Sequence, residues 1–513
     1  MSKAYCGRVG TPVELEVVLW IVYLCLWATF GFIAELAAKS AGVSSGICDV
    51  LFRAIGVATV AYAGFRGVQG YRKGDKVARE AIVRICCIYM WCLLLPVYYT
   101  FDSGHYHIPL IEHLRSKGLE WNLGWLNSRY SYFSALFYGQ AAIERLNASE
   151  IWMPSLNKLA SACCLSILAK SEGEDERGVG WQIGKVITGA FILVSLEAAQ
   201  GWHSFNPDWF LGCICLIAAV VAISGKREEK SKVIELAVAG TAIKLSGVFA
   251  MVPVLVAGLY RCRRVEWARI GSIAIMVALA TSLSSVAQTG YLSYPISLTR
   301  IDRAGAIPKE TAIREAKLGT LAFARFNYSG QAEKMRIDAK PSEWMPRWVL
   351  SKNGKTMLSA VGLGVGALAV RKKEEWSKEL YIVIAGNVVV LLMGIWVLPP
   401  DPRFYYGSIL CIVYGCTGLL LDELGFRYEK GKHMGSTAKK WGVGVAVLLI
   451  VVLVRIWRGT GDGATLSRKP TIRVDELSMH SIGAYTVNDG KVRVALDGSC
   501  WNAKSPCIPG DVR

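Results

Sequence analysis

Eleven apolar runs separated by short basic clusters leave this chain few ways to fold. They fall at 13–38, 50–65, 83–100, 150–168, 182–200, 208–224, 267–287, 356–370, 379–398, 404–421 and 440–457. Runs of this kind read as membrane spans. Lipid offers no partner for a bare backbone amide, so apolar runs of this length must cross as helices. The first run, Val13 to Ala38, is too long for a cleavable signal, and no small-residue cleavage site follows it. The expected fold is therefore an all-α integral membrane protein.

A twelfth apolar stretch, 233–259, has basic residues on both sides: Lys226, Arg227, Lys230 and Lys232 before it, Arg261, Arg263 and Arg264 after it. Basic flanks mark the cytoplasmic side. The stretch therefore reads as entering and returning, with a break near Lys244-Leu-Ser-Gly247. Such a break is tolerated only where protein buries it or a cavity wets it. Counting the hairpin as two crossings gives about 13 transmembrane helices, with the N-terminus inside and the C-terminus outside. The net charge of +18 is then a positive-inside signature rather than a nucleic-acid surface.

This topology divides the chain into helices 1–3 (1–100), a motif loop with juxtamembrane helices (101–149), central helices with the broken hairpin (150–287), a basic outer loop (288–355), C-terminal helices (356–457) and an outer tail (458–513). The loop 288–355 carries twelve Lys or Arg against six acids. Loops of this length cross largely regardless of charge. Within it, 308–323 reads as an interfacial helix opened by Pro308, and Trp344 and Trp348 as interfacial anchors. The segment Ser131–Leu146 reads as a helix lying on the surface. If it crossed instead, every later assignment would flip.

Five polar motifs border these spans, all on the outer side. They are Asp102-Ser-Gly-His-Tyr-His107, Asn122-Leu-Gly-Trp-Leu-Asn-Ser-Arg129, Thr289-Gly-Tyr-Leu-Ser-Tyr-Pro295, Pro400-Asp-Pro-Arg-Phe404 and Cys500-Trp-Asn-Ala-Lys-Ser-Pro-Cys507. Asp102 can act as general base towards a hydroxyl, or ligate a divalent cation (Mg or Mn) with His105 and His107. A plain polar helix cap accounts for it equally well. Prolines on both sides hold Asp401 extended, and Arg403 after it suits a bidentate grip on phosphate; an Asp401–Arg403 or Asp401–lipid pair that merely shapes the turn is the alternative. Lys244, at the hairpin break, is an ionisable group at membrane depth and so a functional candidate. Asn122 and Arg129 share the first outer loop. Tyr291 and Tyr294 read as sugar-stacking platforms or as interfacial aromatics. Asp208, after Asn206-Pro207, reads as a polar turn or helix cap. Cys500 and Cys507 stand in a polar tail, where a disulfide requires an oxidising compartment. No P-loop, dinucleotide glycine pattern, HExxH or GxSxG is present.

With these motifs in this order, the chain resembles the GT-C class of polytopic glycosyltransferases. More closely, it resembles a group of bacterial multi-pass membrane proteins carrying DxxxYHxP, GYLxYP, PDPRF and C-terminal CWxxxxPC motifs. The likeness spans nearly the whole chain. It departs from the GT-C pattern at Ser103-Gly104, where a second acid usually follows the first. The resemblance implies a GT-C-like fold in the bacterial inner membrane, with the active site outside. It implies Asp102 as base or metal ligand, oriented by His105 or His107, and Arg403 and Lys244 as phosphate grips. The reaction implied is transfer of a sugar from a polyprenyl-phosphate-linked donor to a glycan or lipid acceptor. A polymerase or ligase of lipid-linked oligosaccharides is the alternative enzyme. A lipid or polysaccharide transporter is the alternative non-enzyme, disfavoured by the lack of polar motifs on the inner side and the low ionisable content expected in the inner halves of the spans.

Overall fold

The computed structural model describes residues 12–43, 76–94, 102–146, 154–169, 179–194, 204–326 except 227, 228, 261 and 263–265, 336–423 except 337 and 370–376, and short strands in the tail. The expected spans 50–65 and 440–457 lie outside the described residues. The helices are α1 (Val13–Ser40), α2 (Lys76–Leu94), α3 (Ile108–Lys117), α4 (Ala135–Leu146), α5 (Ser155–Ala169), α6 (Val179–Val194), α7 (Pro207–Ser224), α8 (Lys230–Gly240), α9 (Gly247–Tyr260), α10 (Trp267–Thr289), α11 (Pro341–Leu350), α12 (Lys352–Ala369), α13 (Lys378–Trp396) and α14 (Tyr406–Glu423). Among the described residues, α1, α7, α10 and α13 are long and apolar enough to cross a membrane. The body of the chain has the build of an α-helical membrane protein.

Helix α7 is apolar on every side, and a helix of that kind belongs in the middle. It is enclosed by α5, α8, α9 and α14, with Phe210 to Ile223 almost entirely buried. Its start follows from sequence. Pro207 sits at the first turn, and the Asn206 side chain accepts from the Asp208 amide at 2.9 Å. Elsewhere small residues bring helices close. A Cβ on Gly418 of α14 would lie 2.2 Å from the Trp181 ring of α6.

Between α8 and α9 the helix is interrupted at 241–246, with Lys244 in the interruption. The two pieces pack on each other. Each is only about 16–21 Å long, too short to span alone. The freed Ala242 carbonyl accepts from the Ala135 amide at the start of α4, so the break is satisfied by protein. Among the described residues, helix α4 has twelve residues, about 18 Å, shorter than a bilayer core. It packs on α1 and α3, and Arg145 near its end donates to Glu35 and to the Leu114 carbonyl.

The bundle has two polar ends. At one meet Asp102, Asp208, Lys244 and Arg403. At the other, Lys230 pairs with Glu379 at 2.5 Å, Arg269 with Glu235 at 3.0 Å, Arg84 with Glu14, and Lys232 with Glu16. That second end was expected to carry basic clusters but no polar motif; the structure pairs its basic residues between helices with Glu14, Glu16, Glu235 and Glu379.

Two further expectations change. Trp344 and Trp348 are buried, not set at a lipid interface. The Trp348 indole donates to the Pro400 carbonyl at 2.8 Å, and the Arg325 guanidinium lies over Trp344. The tail adds short strands to the otherwise helical chain. Val474–Ser478 runs antiparallel to Lys491–Ala495, and Lys491–Ala495 runs parallel to Cys507–Ile508. The pairing of Cys500 with Cys507 lies outside what is described, since Cys500 is not among the described residues.

Candidate functional site

Four segments far apart in sequence supply the charged cluster. Asp102 stands immediately before a π turn, Ser103–His107, which leads into α3. Such turns interrupt the regular helical bonding and recur at functional sites. Asp401 and Arg403 come from the Pro-rich link between α13 and α14. The Asp401 carboxylate accepts from the Arg403 amide at 3.1 Å, a local turn favoured by Pro402. Asp208 opens α7, and Lys244 sits in the hairpin break.

Arg403 ties the cluster together. Its Nε donates to Asp401 at 2.9 Å, and its Nη1 donates to Asp102 at 3.0 Å across 301 residues of sequence. The two carboxylates differ in access. Asp401 is 1% exposed, whereas the Asp102 side chain is 31% exposed. Asp401 therefore anchors the guanidinium from behind, and Asp102 occupies its open edge. Lys244 donates to both oxygens of Asp208, at 2.6 and 2.7 Å, and lies 4.6 Å above the Phe404 ring. Arg403 lies 6.0 Å from the same ring. One aromatic ring thus has two cations beside it.

Burial pushes the Asp102 carboxyl up. The positive neighbours, His107 when protonated and then Arg403, Arg129 and Lys244, more than offset this and hold it below its ordinary value. His107 is itself neutral at physiological pH. Burial between Tyr106 and Phe137 lowers it to about 3, against the opposing pull of Asp102. Both its ring nitrogens lack hydrogen-bond partners among the described residues. The His105 carbonyl accepts from the Asn127 side chain. Among the described residues no three His, Cys, Asp or Glu side chains converge for a metal.

Arg129 belongs to a neighbouring lobe. It pairs with Glu315 at 3.3 Å and donates to the Gly319 carbonyl at 3.1 Å. Both partners lie in a second π stretch, Glu315–Ala322, within the segment expected as an interfacial helix. The Tyr132 hydroxyl lies 3.5 Å from Glu315 and 3.4 Å from Thr320. The structure places the other expected contributors in packing roles. Asn122 has a left-handed backbone, and its side chain accepts from Arg303 at 2.8 Å. Tyr291 is fully buried, with its hydroxyl donating to the Ile307 carbonyl; Tyr294 is buried edge-on against Tyr132 and Tyr291. Neither tyrosine presents a face on which a sugar would stack. Glu315 was absent from the sequence reading, because one acid in a basic loop carries no local signal. Asp208 was legible only as a helix cap.

A family model described as a domain of unknown function, DUF8201, matches residues 17–410. The chain belongs to the DUF8201 family. The DUF8201 match contains Asp102, Asp208, Lys244, Asp401 and Arg403, whereas the tail strands lie beyond it. No curated protein and no solved structure matches the chain.

Proposed function

We propose that this protein is a membrane glycosyltransferase that takes a sugar from a polyprenyl-phosphate-linked donor. The observation that carries the reading is the Asp102–Arg403 pair, a reachable carboxylate and a phosphate-type grip held 3.0 Å apart. In the reaction the acceptor hydroxyl gives its proton to Asp102. Its oxygen bonds to the anomeric carbon as the bond from that carbon to the phosphate oxygen breaks. The leaving lipid phosphate carries the negative charge, which Arg403 and Lys244 receive. Arg403 suits this role because Asp401 keeps its Nε edge while Nη1 exchanges Asp102 for phosphate.

The topology we propose keeps the expected count of 13 by taking α8 and α9 as the two arms of a hairpin that enters and returns without spanning, in a bacterial inner membrane with the N-terminus inside and the Asp102 end outside. The acceptor is a glycan or lipid at that face. A second reading, a polymerase or ligase of lipid-linked oligosaccharides, draws on the two cations sharing the Phe404 ring, which suit a diphosphate. Transport is disfavoured because the charges at the opposite end bond one another across helices.

Surface-glycan profiling of host cells carrying wild-type protein or Asp102→Asn tests this. Loss of one sugar at unchanged expression is the expected outcome. Loss of long chains with single repeat units retained moves the assignment to the polymerase, and an unchanged profile overturns both.

A further inference from the structure

Helix α10 sets a height. It starts at Trp267, exposed at the end of the bundle where Arg269 pairs with Glu235, and its 23 residues rise about 35 Å. A hydrocarbon core is about 30 Å thick, so a helix anchored by Trp267 at one boundary ends at the other. Along the way Ile275, Leu279 and Leu283 stand exposed, a face that protein leaves uncovered. Beyond Gly290 the chain stays at that second boundary. It closes into a tight loop, with Tyr291 bridged to Arg300. The Leu292 amide donates to the Thr299 carbonyl at 2.9 Å, and the Ile301 amide to the Gly290 carbonyl at 2.8 Å. The Tyr294 amide reaches back to the Ser285 hydroxyl at 3.2 Å. Ser285 lies about one helical turn below Thr289, so the loop folds down beside α10 instead of standing up from it.

The two sides of this loop differ. Tyr291 and Tyr294 are buried inwards, whereas Leu292, Ile296, Leu298 and Ile301 are exposed, Leu298 at 91%. Its backbone is bonded internally: the Ser293 amide donates to the Thr299 hydroxyl, and the Ile296 and Thr299 amides donate within the loop. Contact with lipid demands such internal bonding, and apolar side chains held outwards on a tied loop are costly in water. We infer that the loop 292–301 is a membrane anchor whose Leu292, Ile296 and Leu298 side chains enter the lipid surface beside α10. Bilayer lipid is the occupant because these side chains sit next to the uncovered face of α10, at the height where that helix meets the membrane boundary. The anchor stands independently of the reaction proposed above. Its inward side steadies the neighbouring lobe: Tyr294 meets Tyr132 edge-on at 5.7 Å, and the Arg129 guanidinium lies 5.8 Å from the Tyr132 ring. Anchoring the loop therefore fixes the height of the Arg129 segment over the membrane.

The test is photo-crosslinking of the full chain in nanodiscs of phosphatidylethanolamine and phosphatidylglycerol, with p-benzoylphenylalanine replacing Leu298, Leu279 or Asp302 one at a time. All three side chains are exposed, so the replacements leave the packed interior intact. Irradiation should give a phospholipid adduct at Leu298 in a yield matching that at Leu279, on the lipid-facing side of α10. At Asp302, charged and 96% exposed, the yield should be about tenfold lower, since burying a leucine-sized group in lipid is worth at least that factor. An adduct of twice the chain mass at Leu298 means that a second copy covers the loop. Recovery of the chain without any adduct there, while Leu279 is labelled, means that the loop faces water. Equal yields at all three positions mean collision with loose lipid. Each of these outcomes overturns the inference.

Discussion

Arg403 does two things at once, and a lysine cannot do both. Its planar fork holds Asp401 through Nε and Asp102 through Nη1, whereas an ammonium is a point charge with no fixed second edge. Arg403→Lys forfeits at least one charge-assisted hydrogen bond, worth about 1.5–3 kcal/mol. Transfer activity should fall on the order of 10–100-fold with folding retained, read as initial rate on the purified protein. His107 gives a pH dependence of known sign. Its folded pKa of about 3 lies below its unfolded value. The stability it contributes is thus complete above about pH 6.5 and declines as pH falls towards 3. At pH 5 the loss is about 2 kcal/mol, and His107→Phe should flatten the fall of melting temperature between pH 7 and 5. An equally steep fall in the variant would show that another group is responsible. The polar motifs drew attention to Asp102, Asp401, Arg403 and Lys244. What they bond to was illegible, because a partner 301 residues away leaves no trace in local spacing.

Periodicity and flanking charge made the apolar helices legible as elements. The interruption at 241–246 is where basic flanks on both sides of one apolar stretch had placed a turn. The π stretches had no sequence signature, since the same residues read as ordinary helix. Trp344 and Trp348 were misread because a tryptophan beside a span looks the same whether it meets lipid or, as here, a neighbouring carbonyl. Between α6 and α14, Gly184 and Gly418 let the backbones nearly touch, and a Cβ on Gly184 would lie 2.5 Å from the Gly418 amide nitrogen. Gly418→Ala should therefore cost about 1–3 kcal/mol through forced displacement of Trp181. A lowered melting temperature in detergent, with the Asp102 cluster still active at low temperature, is the expected result.

Across the whole molecule the two polar ends differ in kind. The Asp102 end keeps partly exposed side chains at Asp102, Lys244 and Arg403. The other end is closed by buried pairs, among them Lys230 with Glu379. Breaking a buried pair strands a charge: Glu379→Ala should destabilise by about 3–5 kcal/mol. The double variant Lys230→Leu/Glu379→Leu should recover most of that, measured by thermal melting. Neither should change the sugar that is transferred. The span of sequence between Asp102 and Arg403 has a consequence in time. The ribosome releases Asp102 early and Arg403 some three hundred residues later. Until then the carboxylate waits ahead of α3 without its guanidinium, and no nascent chain stopped before that point can form the pair. The pair closes only as the last described helix, α14, is being laid in beside α7.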